Sequence, residues 1–363
     1  MFLIACLAHG TKDLGIPQWE GLASWIKENW SWAATYLHLN QVIIVILVGI
    51  LIRNTIGIPT WAANGVRTSR LFIKMGVILL GSLYSLRELA TLGATAITLI
   101  LIFVMATCLF IMWWGNRIGM HPATSACMAA GIGVCGVSAA VATAPAVKAK
   151  SEDVAFAVAT LLAFGVFCLF VFPPLGTLLG LSPHQFGAWA GTGIVNSGQV
   201  LAASLAFDPG TVDHPSVALK TGEIFNLTRV VFLPFVVFTL ALIYTRQAAK
   251  QGLEHEKGES RGLSWIWSKF PVFVLGFLVM VALTSFGTFG ATRPPSEELK
   301  LFRVLYTWFF TIGLTGLGMQ ISIAEMRKAG GKPLIVGFSA GALKAILALI
   351  VVLLFVGEDP PAH

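Results

Sequence analysis

The chain has 363 residues, of which 56% are hydrophobic and 11% are charged, and its formal net charge is +7. Soluble domains carry about 25% charged residues, so this composition excludes an ordinary soluble protein and indicates an integral membrane protein. The basic residues cluster at the ends of apolar runs, a pattern that orients spans against anionic lipid, so the charge predicts a lipid bilayer and no nucleic acid as partner.

The N-terminal segment, residues 1–38, carries tryptophans among charged side chains, with Trp25 and Trp30 on either side of Lys27. Tryptophan favours the headgroup level of a bilayer. The segment is therefore predicted to be an interfacial amphipathic helix. A loop packed on the protein is the alternative.

Ten hydrophobic spans follow, and each is long enough to cross a bilayer, which takes about 20 residues. They predict an all-α polytopic protein of the cell's inner membrane. A polar segment, 246–269, separates the seventh and eighth spans and is rich in Lys and Arg, so it is predicted to be a cytoplasmic loop. The predicted spans are 39–56, 71–90, 93–115, 122–148, 153–178, 186–206, 216–245, 266–287, 300–324 and 333–356.

The fourth span contains Gly131, Gly133 and Gly136 together with Cys135 and Ser138. A helix in lipid finds no replacement partners for its backbone, so broken helices occur where they line a binding site or a water-filled cavity. The run predicts a discontinuous helix whose free amides and N-terminal dipole hold an anion, with the serine hydroxyl as a further donor. Close helix packing through small residues is the alternative.

The sixth span carries the most polar cluster within any span, which predicts a substrate or ion site; hydrogen bonding between helices is the alternative. Its members are Gly193, Asn196, Ser197 and Gln199. The amide oxygens of Asn196 and Gln199 could ligate a coupling sodium ion. Gln320 and Ser322 of the ninth span could complete such a site from the second half.

Arg229 lies inside an apolar stretch, where a charged residue is costly and usually faces protein or a cavity. It is either a fixed cation for an anionic substrate or the structural partner of Glu223. Asn226 and Thr228, beside it in the sequence, are assigned to the same substrate site. The histidines near the span ends have no spaced partners, so no metal site is predicted.

Internal echoes suggest a duplication. Residues 130–134 recur at 190–194, a shift of 60, and a second set recurs with a shift of 237: Gly76, Gly81, Ser85, Glu88 and Gly93 fall on Gly313, Gly318, Ser322, Glu325 and Gly330. The shifts do not describe one tandem duplication.

Ten spans suit two inverted five-span halves, a common plan for secondary transporters. The first half is 39–178, and the second starts at 179–245 and ends with 270–363 after the polar loop. Under this partition the fourth and ninth spans correspond, and Gly131 and Gly133 pair with Gly316 and Gly318.

The run from Val134 to Ala140, followed by Ala144 and Pro145, resembles the YeiH-like family of bacterial membrane proteins, for which sulfate, sulfite or a related anion is the usual label. Further matches lie at Leu80-Gly81, Ala190-Gly191, Gln199-Val200 and Leu227-Thr228-Arg229. The resemblance implies a core domain with crossed, broken helices that moves against a panel domain. Only the resemblance supports a homodimer.

The chain departs from the family pattern at two positions. Relatives usually carry His-Glu before Gln199, where this chain reads Val195-Asn196-Ser197-Gly198, and usually carry lysine at the position of Asn226. A buried charge without its partner costs several kcal/mol, so joint loss of both charges is easier than single loss. The hypothesis is that Asn196 and Asn226 face each other across the core, which argues against proton coupling through them.

These observations predict a secondary transporter that moves a small anion by alternating access. The alternatives are a channel, a membrane-embedded enzyme with Cys135 or Ser138 as nucleophile, and a non-transporting subunit of a membrane complex. A nucleophile needs a neighbouring base, and no histidine or paired carboxylate lies in a core span, so no enzyme is predicted. No phosphate-binding loop motif occurs, so ATP is not expected to drive transport. No cofactor is predicted, and coupling to Na⁺ or H⁺ stays open.

Overall fold

The computed structural model describes residues 1–10, 21–31, 38–250, 271–289, 296–328 and 331–357. Within these ranges the chain is helical without β-strands, as the composition predicts. Of the predicted N-terminal segment, the described parts contain two short helices, α1 and α2. Most of the predicted loop 246–269 lies outside the described residues.

One group of helices, the panel, combines elements from both ends of the chain. Small residues let its helices approach closely: a methyl group at Gly318 would meet the carbonyl oxygen of Ile46 at 2.4 Å, and one at Gly76 would meet the ring of Phe310. The panel consists of α1 (Phe2–His9), α2 (Leu22–Asn29), α3 (Gln41–Thr55), α4 (Thr60–Arg67), α5 (Ser69–Leu80), α14 (Val272–Ser285) and α15 (Glu297–Gln320).

The other group, the core, contains both predicted breaks. Its members pack mainly on one another and touch the panel at few places. It consists of α6 (Leu86–Arg117), α7 (Pro122–Ala130), α8 (Val137–Thr143), α9 (Ser151–Leu178), α10 (Pro183–Gly193), α11 (Ser197–Phe207), α12 (Val217–Val231), α13 (Leu233–Lys250), α16 (Ile323–Lys328) and α17 (Gly331–Phe355).

Four helices of the described chain, α6, α9, α15 and α17, are long and apolar enough to cross a membrane. A fifth candidate is formed by α12 with the first part of α13, which meet at a bend of 44°. The helices α3, α11 and α14 are apolar but shorter.

The predicted fourth span is a re-entrant hairpin, not a crossing. Its two ends meet at Asp153, at the start of α9: the Thr124 hydroxyl donates to the Asp153 carboxylate at 2.5 Å, the His121 imidazole lies 3.0 Å from it, and the Lys150 amide donates to it at 3.0 Å. Since the chain enters at residue 121 and leaves at 150, α7 and α8 form one hairpin. We call it hairpin 1, and the end of the molecule from which it enters the Asp153 end.

The predicted sixth span is a second hairpin, which enters from the opposite end of α9. Phe186, near the start of α10, stacks on Phe207, the last residue of α11, with ring centroids 4.0 Å apart. Both rings lie against Gly176, near the end of α9. We call α10 and α11 hairpin 2, and this end of the molecule the Phe207 end.

The prediction of ten crossings is therefore wrong at two places, and the pairing of the fourth with the ninth span is also wrong. The predicted ninth span is the continuous helix α15. Its Gly316 and Gly318 are helical and allow contact with Ser69 and Ile46 of the panel, which is the ordinary use of small residues between apolar helices. The two breaks are in the fourth and sixth predicted spans, where the glycine runs indicate them.

Candidate functional site

The two hairpins enter from opposite ends and their tips meet halfway along α9. A methyl group at Gly131, in hairpin 1, would collide with the side chain of Leu161, and one at Gly165 would collide with Gln199 of hairpin 2. The 28 residues of α9 span about 42 Å at 1.5 Å per residue. The tips therefore lie near its middle, far from both ends of the molecule.

The tip of hairpin 1 is a π-helical turn, Gly131–Cys135, that ends at Gly136. Gly136 has φ 72° and ψ −130°, a conformation that glycine adopts without the steric cost of a Cβ. A Cβ there would lie 1.6 Å from the side-chain oxygen of Asn196. The glycine is thus required both by the turn and by the approach of hairpin 2, which is the broken helix that the sequence predicts.

Asn196, at the tip of hairpin 2, joins the two hairpins. Its side-chain oxygen accepts from the Val137 amide at 3.0 Å, and its side-chain nitrogen donates to the Leu161 carbonyl at 3.1 Å and to the Gln199 side-chain oxygen at 2.7 Å. The predicted clusters of the fourth and sixth spans are therefore parts of one site. Asn196 orients that site through both ends of its amide.

Two donors at this junction have no hydrogen-bond partner. The Gln199 side-chain nitrogen and the Ser197 hydroxyl are both buried and unpaired. A buried polar group without a partner costs about 1–3 kcal/mol, and such groups call for an explanation such as a bound ion or water. In addition, α8 and α11 both begin at the junction, so the positive ends of their dipoles lie there.

Arg229 is completely buried and is hydrogen-bonded at the break of hairpin 2. It donates to the Ile194 carbonyl at 2.6 Å and to the Asn226 side-chain oxygen at 3.1 Å, while Asn226 donates to the Glu223 carboxylate at 2.8 Å. Asn226 thus bridges an acid and a base that lie six residues apart on α12. Asn226 is linked to the break of hairpin 2 through Arg229, which bonds the Ile194 carbonyl two residues before Asn196; that Asn226 and Asn196 face each other stays a prediction.

A second buried cation contacts the tip of hairpin 1. Lys344 of α17 donates to the Ile132 carbonyl at 2.8 Å and is 3% exposed. Each break is therefore contacted by one buried cation from a neighbouring helix. In the sequence, the signal that identifies Lys344 is its position inside an apolar span.

The remaining predicted site residues are placed as follows. The Thr228 hydroxyl donates to the Ile224 carbonyl one turn earlier, so its proton is used within α12. Gln320 donates to Ser69 of the panel at 2.8 Å, and Ser322 caps α16 by accepting from the Glu325 amide. Neither is brought to the hairpin tips. Cys135 is buried in the turn of hairpin 1, and Gly133 and Gly193 pack at the two tips.

The two hairpins differ in what covers them beside the junction. Ser138 and Val141 on α8 are exposed, and α8 packs on the core helices α7, α9 and α13. By contrast, α11 of hairpin 2 packs on the panel helices α3 and α15, and a methyl group at Gly198 would touch Leu317. Contacts at the Phe207 end reinforce this closure, since Asn40 of the panel donates to the Leu205 carbonyl at 2.8 Å.

Comparison with known proteins identifies the family. Residues 21–337 match the family model described as conserved hypothetical protein 698, and a UPF0324 membrane protein of Nitratidesulfovibrio vulgaris is 50% identical over 331 residues, 90% of this chain and 87% of the relative. The chain belongs to the UPF0324 family of membrane proteins. This is the YeiH-like group that its motifs resemble, so that prediction is confirmed.

Other UPF0324 proteins match over similar lengths. A second protein of Nitratidesulfovibrio vulgaris is 44% identical over 88% of this chain and 85% of its own length, and one of Agrobacterium fabrum is 31% identical over 88% and 86%. No solved structure matches the chain.

Proposed function

We propose that this UPF0324 protein is a secondary transporter that moves a small anion by alternating access. The observation that carries the proposal is the meeting of two opposed re-entrant hairpins halfway along α9, with unpaired donors at the junction. Discontinuous helices at this depth are the usual substrate and ion sites of secondary transporters. An anion held there would be reached from one end at a time.

Charge supports an anion rather than a cation. Three charged side chains are buried around the hairpin tips, and the two cations Arg229 and Lys344 outnumber the one carboxylate, Glu223. The positive ends of α8 and α11 add to this excess. A bound anion would offset it and would accept hydrogen bonds from Ser138, Ser197 and Gln199. Sulfate and sulfite, the substrates usually assigned to the YeiH-like family, are anions that fit such a site.

The distribution of basic residues indicates how the protein is oriented in the inner membrane. Among the residues that the structure describes, the Asp153 end is rich in them, while the Phe207 end carries fewer: Arg87, Lys220, Lys300 and Arg303. By the excess of Lys and Arg in cytoplasmic loops, we assign the Asp153 end to the cytoplasm. Because Ser138 and Val141 of α8 are exposed while α11 is covered by the panel, we assign the described conformation to the inward-open state. The basic residues at the Asp153 end are Arg53, Arg67, Arg70, Arg117, Lys148, Lys150, Arg327, Lys328 and Lys332.

We further propose that the chain is an inverted repeat in permuted order. The shift of 237 places α5 on α15, α6 on the pair α16–α17 and the first half of α3 on the second half of α14. The shift of 60 places hairpin 1 on hairpin 2 and α9 on α12–α13. Ser85 and Ser322, related by the first shift, each cap a helix by accepting from a glutamate amide three residues later. Corresponding elements enter from opposite ends, which is the relation that gives alternating access.

Uptake of labelled sulfate into proteoliposomes tests the proposal. The purified protein is expected to give saturable uptake that sulfite and other small anions compete for, with Na⁺ or pH gradients imposed separately to find the coupling ion. Competition by cations alone, or no anion-dependent uptake by folded protein, would overturn the proposal. A conductance that does not saturate would favour the channel alternative.

A further inference from the structure

The Phe207 end contains a cavity away from the hairpin tips, between the panel and the core. It encloses about 190 Å³, well above the volume of about 30 Å³ that one water molecule occupies in the liquid. Panel side chains, among them Gln41, Arg303 and Thr307, line one side, and the chain that follows hairpin 2, from Pro209 to Val212, lines the other.

Arg303 is the charged group of this cavity, and its guanidinium is only partly used. One of its terminal nitrogens donates to the Val212 carbonyl at 2.5 Å and lies 3.5 Å from the Asp213 carbonyl. Its side chain is more than nine-tenths buried, and yet its Nε has no hydrogen-bond partner. An arginine offers five N–H donors in a fixed fork that matches oxyanions, so the loop contact leaves donors for a ligand.

Of the carboxylates near Arg303, that of Asp213 attracts the guanidinium from an exposed position, and two others are engaged elsewhere. The Asp208 carboxylate accepts from the Val217 and Ala218 amides, and Glu297 pairs with Lys300. Thr307 and Thr311 also line the cavity, and their hydroxyls donate to the Arg303 and Thr307 carbonyls one turn earlier. The Arg303 guanidinium is therefore the donor that the cavity offers to an anion, and the carboxylates of Asp208 and Glu297 are engaged elsewhere.

We propose that this cavity is a second anion site, at the Phe207 end of the protein, in which Arg303 holds a small inorganic oxyanion. Because Arg303 also holds the chain at Val212, the same side chain joins the panel to the core. An anion there would neutralise a buried cation while the two groups of helices are in contact. The site is separate from the hairpin tips and its occupancy does not depend on transport.

Protection of a single cysteine tests the site in detergent. In a Cys6→Ser background, which removes the one native cysteine that is not buried, Thr307→Cys places a thiol in the cavity wall. Saturating sulfate is expected to slow maleimide labelling about tenfold, a change of about 1.4 kcal/mol in apparent free energy, relative to gluconate at equal ionic strength. Equal labelling rates in the two salts would overturn the proposal.

Three further variants assign the protection to Arg303. Arg303→Gln is expected to abolish it, Arg303→Lys to retain part of it through the charge, and Lys300→Gln, one turn earlier and more exposed, to leave it unchanged. Undiminished protection in Arg303→Gln would overturn the proposal. If Arg303→Gln does not fold, the two single variants Arg303→Lys and Lys300→Gln decide: complete loss of protection in both would overturn the proposal. Protection without sulfate uptake would refute the proposed transport and leave this site standing, whereas uptake without protection would do the reverse.

Discussion

Replacing Gly136 by alanine should separate the two hairpin tips. The new Cβ would lie 1.6 Å from the Asn196 side-chain oxygen, and the left-handed backbone at φ 72° would be strained. A residue held in such a conformation costs about 1–3 kcal/mol. The displaced Asn196 would also leave the Val137 amide without its acceptor, at about 1–3 kcal/mol. The sum is roughly 2–6 kcal/mol, which exceeds the typical effect of one substitution.

Gly180→Ala is the matched control. Gly180 also has a positive φ, 66°, but a Cβ there would meet nothing within 4 Å. Gly180→Ala should therefore lower the free energy of unfolding only by the cost of a positive φ at alanine, about 1–2 kcal/mol, and should keep sulfate uptake. Thermal unfolding followed by tryptophan fluorescence and uptake in proteoliposomes give the two readouts. If Gly136→Ala is as stable and as active as Gly180→Ala, the contact between the tips does not exist as described.

Three further perturbations follow from the same contacts. Asn196→Asp removes the donor to Leu161 and adds a negative charge, so sulfate uptake should fall at least about tenfold (about 1.4 kcal/mol). Uptake by the Asn196→Gln variant should fall less. Equal uptake by the two variants would contradict the anion site. Lys344→Met removes the buried cation at the Ile132 carbonyl and should lower the affinity for sulfate. Lys332→Met, at the exposed contact with Gly119, should leave that affinity unchanged. An equal loss of affinity in both variants would indicate a general effect on folding and contradict a specific role of Lys344. Burial lowers the pKa of His38, whose imidazole bonds Thr177 and Ala206, so the folded state favours the neutral imidazole and the packing of this residue should loosen as pH falls through the lowered pKa. Protection against hydrogen exchange at the start of α3, corrected for the intrinsic pH dependence of exchange, should fall with acid in the wild type and stay unchanged in His38→Gln.

The broken helices could be predicted from sequence, but their path could not. Three glycines within six residues, Gly131 to Gly136, indicate a break because lipid gives free backbone groups no partners. Whether the chain then continues or returns depends on where its ends pack, and hydropathy is the same in both cases. The contact of His121 and Lys150 with one carboxylate, Asp153, decides this point.

The candidate site shows the same limit. Asn196 and Gln199 could be identified because five polar or glycine positions in the seven residues 193–199 exceed what helix packing needs. Gln320 and Ser322 have similar local signals but serve the panel and a helix cap. The bridge through Asn226 between Glu223 and Arg229 spans six residues, which simple pair spacing on a helix does not detect.

Counterflow measures the central claim most directly. Proteoliposomes loaded with unlabelled sulfate and diluted into a trace of labelled sulfate, with no imposed ion gradient, should show a transient accumulation of label that Gly136→Ala abolishes and Gly180→Ala retains. This overshoot requires a site that opens to one side at a time. Label that only equilibrates, without an overshoot, or that does not enter at all would contradict alternating access at the meeting point of the two hairpins.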